Sequence, residues 1–399
     1  MPVRSLQPAV IPAAPPSRPR VQLWCPELFA IGGIQEYSRH FLDSLLRSQQ
    51  VELTDVLSRN DEELPAGFDA PSSIHFSLCG KNGASAGRLS FASTLTRTSL
   101  AHRPDLIITT HLFFAPLARW LKRVSGTPYW AVAHGFEAWD ALTPRRARAM
   151  RSADRVLAVS RFTRDYLTRY HGLDPSRIHL LPNMIDPEEF APGPRSPELL
   201  TRYGLRADQR IILTVARTES RDRYKGYDEI IQLMPEIQRG VPDAHYLLVG
   251  EGNDQARLRQ LVEDLGLRER VTLATGVPRA ELCAHYNLCD LFVMPSRREG
   301  FGIVYLEALA CGKPVLAGRV DGSVDPLLDG KLGILVDPGN LPQIRNAIIA
   351  VLQQRHPHPN LNRPDFLRKC AVEHFGIERF EAKLEEQLAD FFRPLPARA

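Results

Sequence analysis

The sequence predicts an α/β protein of two doubly wound domains, each a parallel sheet covered by helices on both faces, facing one another across a cleft. Three observations carry this. Short, almost wholly apolar runs alternate with amphipathic stretches, the pattern of strands buried on both faces between helices. The alternation comes in two series with a proline-crowded break between them. The 399 residues, 44% of them hydrophobic, exceed the roughly 250–300 residues at which a single core stops growing.

The first series places strands at Val21–Cys25, Val51–Leu57, Leu106–Thr110, Tyr129–Ala133 and Val156–Val159, with helices such as Gln35–Arg47 and Arg161–Tyr170 between them. The break runs from Pro182 to Pro197, where five prolines stand among acidic residues, and reads as a linker or hinge. The second series places strands at Ile211–Val215, His245–Val249, Val271–Ala274, Leu291–Met294, Val315–Ala317 and Ile334–Val336. Its helices are Tyr227–Gln238, Gln255–Leu265, Arg279–Asn287, Ile303–Cys311 and Leu341–Gln353. Sheets of this kind bind ligands at the carboxyl ends of their strands, so two that face each other make an interdomain cleft. The boundaries expected are a tail over 1–19, a first domain over 20–190, a second over 191–375 and a closing helical segment over 376–399.

Composition excludes several classes. A net charge of +4 is too mild for a nucleic-acid binder, whose basic residues gather on one face; it fits phosphate-rich ligands or an anionic surface. The six cysteines include no CxxC pair and read as reduced thiols of a cytoplasmic protein rather than a disulfide frame or metal site. Prolines at 2, 8, 12, 15, 16 and 19 break any signal-peptide helix and mark residues 1–19 as a disordered tail. No apolar stretch reaches the ~20 residues that span a bilayer, so membrane work would be done at the surface.

The chemistry concentrates in PSRREGFGIVYLEALACGKPV, residues 295–315. It follows a strand and opens a helix. Gly300 and Gly302 let the backbone approach a ligand, and the amides of Gly302, Ile303 and Val304 point outward at a helix start, which is an anion site. Glu299 in the loop and Glu307 in the helix look misplaced beside phosphate until they are given hydroxyls to bind, which carboxylates accept strongly. The alternative is an ordinary strand–loop–helix with surface glutamates.

The E-x7-E spacing of Glu299 and Glu307, inside PSxxEGFGxxxLEAxAxGKPV, resembles the retaining family 4 glycosyltransferases, the group 1 glycosyl transferases of GT-B fold with two Rossmann-like doubly wound domains. Other segments are similar to that family in chain order. Gly32-Gly33 resembles its N-terminal glycine loop near the donor phosphates, though a plain tight turn also explains a GG pair. His134, in AHGFE, resembles the histidine that touches the donor sugar, and a structural histidine at a strand end is the other reading. Ser160 and Asn183 match positions that could simply hold loops. Arg217 at a strand end and Lys225 at a helix start match the Arg/Lys pair that holds the diphosphate, and two fixed cations suit such a leaving group. Arg221 and Arg223 read as solvated. Gly250 and Gly252 resemble the family's GxG turn. Asp325 stands where the family often has glutamate, which makes a direct ligand role for it doubtful, and the charged insertion 219–224 has no assignment.

The resemblance implies a retaining hexosyltransferase using a UDP- or GDP-sugar donor and a glycan or polyprenyl-linked acceptor, with no cofactor. No D-x-D motif occurs, in accord with cations and helix amides, rather than a metal, neutralising the diphosphate. The roles implied are diphosphate on Arg217, Lys225 and Gly302–Val304, ribose on Glu307, and donor sugar on Glu299 and His134. In relatives the last helix, here Ile377–Phe392, crosses back onto the first domain. The acceptor side then belongs to the first domain, where Arg119–Arg123 and Arg145–Arg151 mix basic and apolar residues. They read either as solvated helix faces or as a contact with an anionic membrane at the inner face. A GT-B nucleotide-sugar epimerase, a glycosyl phosphorylase and a non-catalytic sugar-binding protein are the competing readings. A nicotinamide dehydrogenase is disfavoured because no G-x-G-x-x-G follows the first strand.

Overall fold

A computed structural model describes residues 18–30, 32–80, 86–139 and 142–393. The expected tail thus lies outside the described residues except for Arg18 and Pro19. In the first half β1 (Arg20–Cys25), α1 (Gly33–Arg47), β2 (Glu52–Ser58), β3 (His75–Leu78), α2 (Ala86–His102), β4 (Leu106–Thr109), α3 (Ala115–Ser125) and β5 (Tyr129–Ala133) follow one another. Then come α4 (Phe136–Trp139), α5 (Pro144–Ser152), β6 (Arg155–Ala158), α6 (Arg161–His171) and β7 (Ile178–Leu180). These strands form one seven-stranded parallel sheet in the order β3-β2-β1-β4-β5-β6-β7.

The second half opens with α7 (Pro197–Arg202), β8 (Arg210–Val215), α8 (Tyr227–Gly240), β9 (Ala244–Val249), α9 (Gln255–Asp264), β10 (Val271–Ala274) and α10 (Arg279–Leu288). It continues with β11 (Leu291–Met294), α11 (Ile303–Ala310), β12 (Val315–Gly318), β13 (Ile334–Val336), α12 (Leu341–Leu352), α13 (Pro364–Phe375) and α14 (Ile377–Phe392). Its six strands are parallel in the order β10-β9-β8-β11-β12-β13. Both orders double back from a central strand, β1 or β8, which opens a crevice at the carboxyl end of each sheet.

The central strands form where the sequence is apolar on both faces: β4, β5, β9 and β11 are buried along their whole length. Two strands were not expected from the sequence. The edge strand β3, HFSL, is half-exposed, and β7 has three residues, so neither carries enough apolar length to stand out. Lys225 was expected to open a helix; it instead ends a tight 3-10 turn over Ser220–Lys225, and α8 begins at Tyr227 after Gly226. That turn is the charged insertion that the sequence left unassigned.

The chain crosses between the sheets twice, side by side. The proline-rich crossing packs as part of the core: Met184, Ile185 and Phe190 are buried, and the Ile185 amide donates to the Phe375 carbonyl at 2.8 Å. The return crossing leads into α14, which docks on the first sheet. Phe380 sits edge-on to Tyr37 and Phe41, and Phe391 edge-on to Trp130. Arg155 of β6 lies over Trp130 and pairs with Asp390 and Gln387. Replacing the buried Phe380 by alanine is expected to destabilise the protein by about 3–5 kcal/mol through a cavity between α14 and α1. Urea denaturation followed by tryptophan fluorescence checks this; an unchanged midpoint would mean that α14 is not docked there.

Candidate active site

The two strand-end loops meet main chain to main chain. A Cβ built on Gly300 would stand 1.9 Å from the His134 carbonyl oxygen, and one on Gly135 2.7 Å from the Gly300 Cα. Only glycine at 300 permits this approach, which brings the loop after β11 against the loop after β5. His134 and Glu299, from different domains, therefore border the same point of the cleft.

On the second domain, Glu299 is held from behind. Its amide donates to Asp321 Oδ2 at 2.6 Å, and its carbonyl accepts from the Gly322 amide at 2.8 Å. Asp321, buried at the end of the loop after β12, has its carboxyl pushed up to about 6 by burial, against the amides it accepts from. The Glu299 side chain takes an ion pair from Lys225 Nζ at 2.7 Å, both groups being mostly buried. Burial opposes the Lys225 charge, but Glu299 and its neighbours outweigh it and hold the ammonium above its ordinary range. Arg217 ends up apart from this pair: it is half-exposed and pairs with Asp222 at 3.1 Å. Lys225, Glu299, Asp222 and Arg217 nonetheless all act on the Tyr224 hydroxyl, whose pKa burial raises. Of the two arginines read as solvated, Arg223 pairs with Asp254.

Gly302 caps α11 with a left-handed φ of 89°, a conformation natural to glycine. Ile303 and Val304 begin the helix, so their amides have no acceptor within it. Glu307, one turn on, is buried and accepts from the Tyr286 hydroxyl at 2.6 Å. Burial lifts its carboxyl to about 7, against the pull of Tyr286 and Arg279. Gly250 and Gly252 lie under the Ala216–Thr218 backbone, too close for any Cβ, and so shape the strand end that carries Arg217. Gly33 opens α1 with no atom within 4 Å of where a Cβ would be, leaving room at the carboxyl end of β1.

On the first domain, His134 is oriented by its own loop. Its amide donates to Glu137 Oε1 at 2.7 Å, and its Nε2 meets the Thr110 carbonyl at 2.7 Å. A carbonyl can only accept, so Nε2 carries the proton. Burial lowers the imidazole pKa against the opposing effects of Glu137 and Thr110. The ring is therefore neutral, and Nδ1 is an acceptor for a hydroxyl. His111, its neighbour, is held neutral too, its pKa brought down to about 3 by burial and then by His134 and Arg146.

Further cross-domain contacts, unread from the sequence, frame the cleft. Phe136 stacks on Tyr224 and lies under Arg298. Arg279 joins Glu36 at 2.8 Å and Glu189 at 2.7 Å. Burial opposes the Glu36 charge, but His40, Arg279 and Arg39 together hold its carboxyl at about 2. Asp325 faces Arg161 Nε at 2.6 Å, with Asp329 beside it, so its carboxylate is engaged with the other domain. Ser160 caps α6, accepting from the Thr163 amide, and Asn183 is buried in the crossing. Asp321 and Arg279 could have been sought at the strand-end loop after β12 and at the start of α10; no local motif marks them.

Two doubly wound parallel-sheet domains whose strand-end loops meet across a cleft form the GT-B fold of glycosyltransferases. The chain belongs to the family 4 glycosyltransferases. Residues 31–189 match the model described as Glycosyltransferase Family 4, and residues 196–364 that described as Glycosyl transferases group 1. A GDP-mannose-dependent alpha-(1-6)-phosphatidylinositol monomannoside mannosyltransferase from Mycolicibacterium smegmatis is 32% identical, over 79% of this chain and 85% of its own. Sucrose-phosphate synthase from Thermosynechococcus elongatus superposes with TM-score 0.77 at 21% identity, over 94% of this chain and 99% of its own. Anabaena HepE in complex with UDP and glucose superposes with TM-score 0.73 at 19% identity, over 94% and 100%.

The elevated Glu307 pKa makes a stability prediction. A carboxyl harder to ionise folded than unfolded favours folding most below the ordinary carboxylate range, and that contribution is lost as pH rises through its folded value of about 7. Glu307→Gln is expected to flatten this part of the wild-type decline between pH about 4 and 8. Melting temperature against pH for both proteins tests it; parallel curves would mean that Glu307 ionises normally.

Proposed function

We propose that this protein is a metal-independent, retaining hexosyltransferase that moves a sugar from a UDP- or GDP-linked donor to a glycan or lipid-linked acceptor in bacterial polysaccharide or glycolipid assembly. The observation that carries the reading is the junction itself: the Lys225–Glu299 pair and the Gly302 helix start on one domain, with His134 on the other. The GDP-mannose-dependent relative favours guanine and mannose on the donor side and a lipid-linked acceptor.

In this mechanism the diphosphate rests on Lys225, on Arg217 turned away from Asp222, and on the amides of Gly302–Val304. Glu307, held by Tyr286, takes the ribose hydroxyls. The free oxygen of Glu299 and Nδ1 of His134 accept from hydroxyls of the donor sugar. As the anomeric C–O bond breaks, negative charge grows on the phosphate oxygen, where preorganised cations and amides stabilise it most. The acceptor hydroxyl attacks from the same face and its proton passes to that phosphate oxygen, which accounts for retention. Lys225, the reoriented Arg217 and the helix start supply the charge that a metal would otherwise bring.

Lys225→Ala and Glu299→Ala are each expected to cost about 10²–10³-fold in turnover in protein that circular dichroism shows to be folded, and EDTA is expected to leave wild-type turnover unchanged. The assay supplies GDP- and UDP-sugars with and without a polyprenyl- or inositol-lipid acceptor. Full activity in both variants overturns the assignment, and donor turnover without acceptor supports the epimerase reading instead.

Membrane contact rests on a face of α3 and α5. Trp120 and Val124 of α3 and Phe113 of the turn before it are exposed, as are Arg123 of α3 and Arg145, Arg148 and Arg151 of α5. Among the described residues no helix is long and apolar enough to cross a bilayer. Apolar anchors ringed by arginine suit an anionic interface. Flotation is expected with vesicles containing phosphatidylglycerol and to weaken in Trp120→Ala with Arg123→Glu; absence of flotation removes the membrane from the proposal.

A further inference from the structure

We propose that Asp55, His75 and His102 form a binding site for one divalent transition-metal ion of the borderline class, zinc or cobalt(II), remote from the cleft. The three residues come from β2, β3 and the last turn of α2. Topology brings them together: Asp55 pairs in register with His75 across the β2–β3 ladder, and α2 returns its final residue to the same place. His102 Nδ1 lies 2.7 Å and His75 Nδ1 3.4 Å from the same Asp55 Oδ1. One ligand atom from each residue falls within 4.8 Å of the other two.

The burial pattern is that of a site rather than of two surface hydrogen bonds. Asp55 is wholly buried, whereas the imidazoles are half-exposed. Among the described residues, the groups paired with this carboxylate are the two imidazoles and the Thr54 hydroxyl, not a lysine or arginine. Thr54 Oγ1 donates to Asp55 Oδ2 at 2.9 Å. That bond orients the other oxygen toward the imidazoles, as outer groups orient metal-binding carboxylates. Two neutral imidazoles can satisfy one oxygen only if both keep their proton on Nδ1. A divalent cation removes that crowding: each ring holds its proton on Nε2, and both Nδ1 lone pairs and Oδ1 bind the ion at about 2.0–2.2 Å. Two nitrogens and one oxygen select zinc-like ions over calcium or magnesium, and three protein ligands leave a position for water.

The cluster is not part of the transfer site. His102 closes α2 just before the chain enters the amino end of β4, whereas the cleft lies at the carboxyl ends. Its effect is structural: an ion there ties the edge strand β3 and the end of α2 to β2.

The test uses the full chain stripped with EDTA and titrated with Co²⁺ at neutral pH, read by visible absorption and calorimetry. One equivalent is expected to bind, with affinity falling about tenfold or more in His75→Ala and in His102→Ala. Both substitutions are at half-exposed positions, and circular dichroism checks that the variants are folded. Zinc is expected to raise the melting temperature of the wild type but not of the double variant. Failure to bind one equivalent, losses below tenfold in either variant, or binding that survives in the double variant overturns the proposal.

Discussion

The structure depends on one contact: backbone touching backbone where Gly300 meets His134 and Gly135. Any side chain at 300 would push the loops apart, and with them the residues each sheet presents at its carboxyl edge. The flanking contacts make the same junction from the sides. Arg161 reaches Asp325 and Asp329, Arg279 reaches Glu36 and Glu189, and Phe136 stacks on Tyr224. The exposed Arg161–Asp329 pair contributes little stability by itself, whereas Glu36 and Asp325 are largely buried. Each of these contacts bridges the two domains, beside the two chain crossings and the docked α14.

Charge inside the cleft follows from that geometry. Lys225 and Glu299 are mostly buried and would each be unfavourable alone; paired, the Lys225 ammonium is held above its ordinary range. Among the described residues neither Glu307 nor Asp321 forms an ion pair with a cation, and burial raises both carboxyls. The site thus holds one fixed ion pair near the helix start and two carboxyls whose charge is sensitive to what binds beside them. In the proposed function, a diphosphate with its ribose and sugar hydroxyls supplies the anion and the hydrogen-bond donors for this arrangement.

Much of the fold was legible because a strand buried on both faces has to be apolar throughout. The runs at β4, β5, β9 and β11 announce themselves for that reason, whereas β3 and β7, short and half-covered, do not. The segment 295–315 was legible because its glycines, glutamates and helix start are local in the chain. That Arg217 pairs with Asp222 was not legible, because Asp222 lies in a turn whose form no local pattern specifies.

By itself, then, the sequence determined the two sheets, the break between them, the glycine-capped helix start and the family, since each is written in residues close together along the chain. Tertiary structure alone decided which charges pair, which carboxyls burial raises, which nitrogen of His134 carries the proton, and that Asp55, His75 and His102 converge. Those are contacts between residues separated by whole strands and helices. Their distances depend on sheet order and on how the domains meet, and periodicity along a chain carries neither.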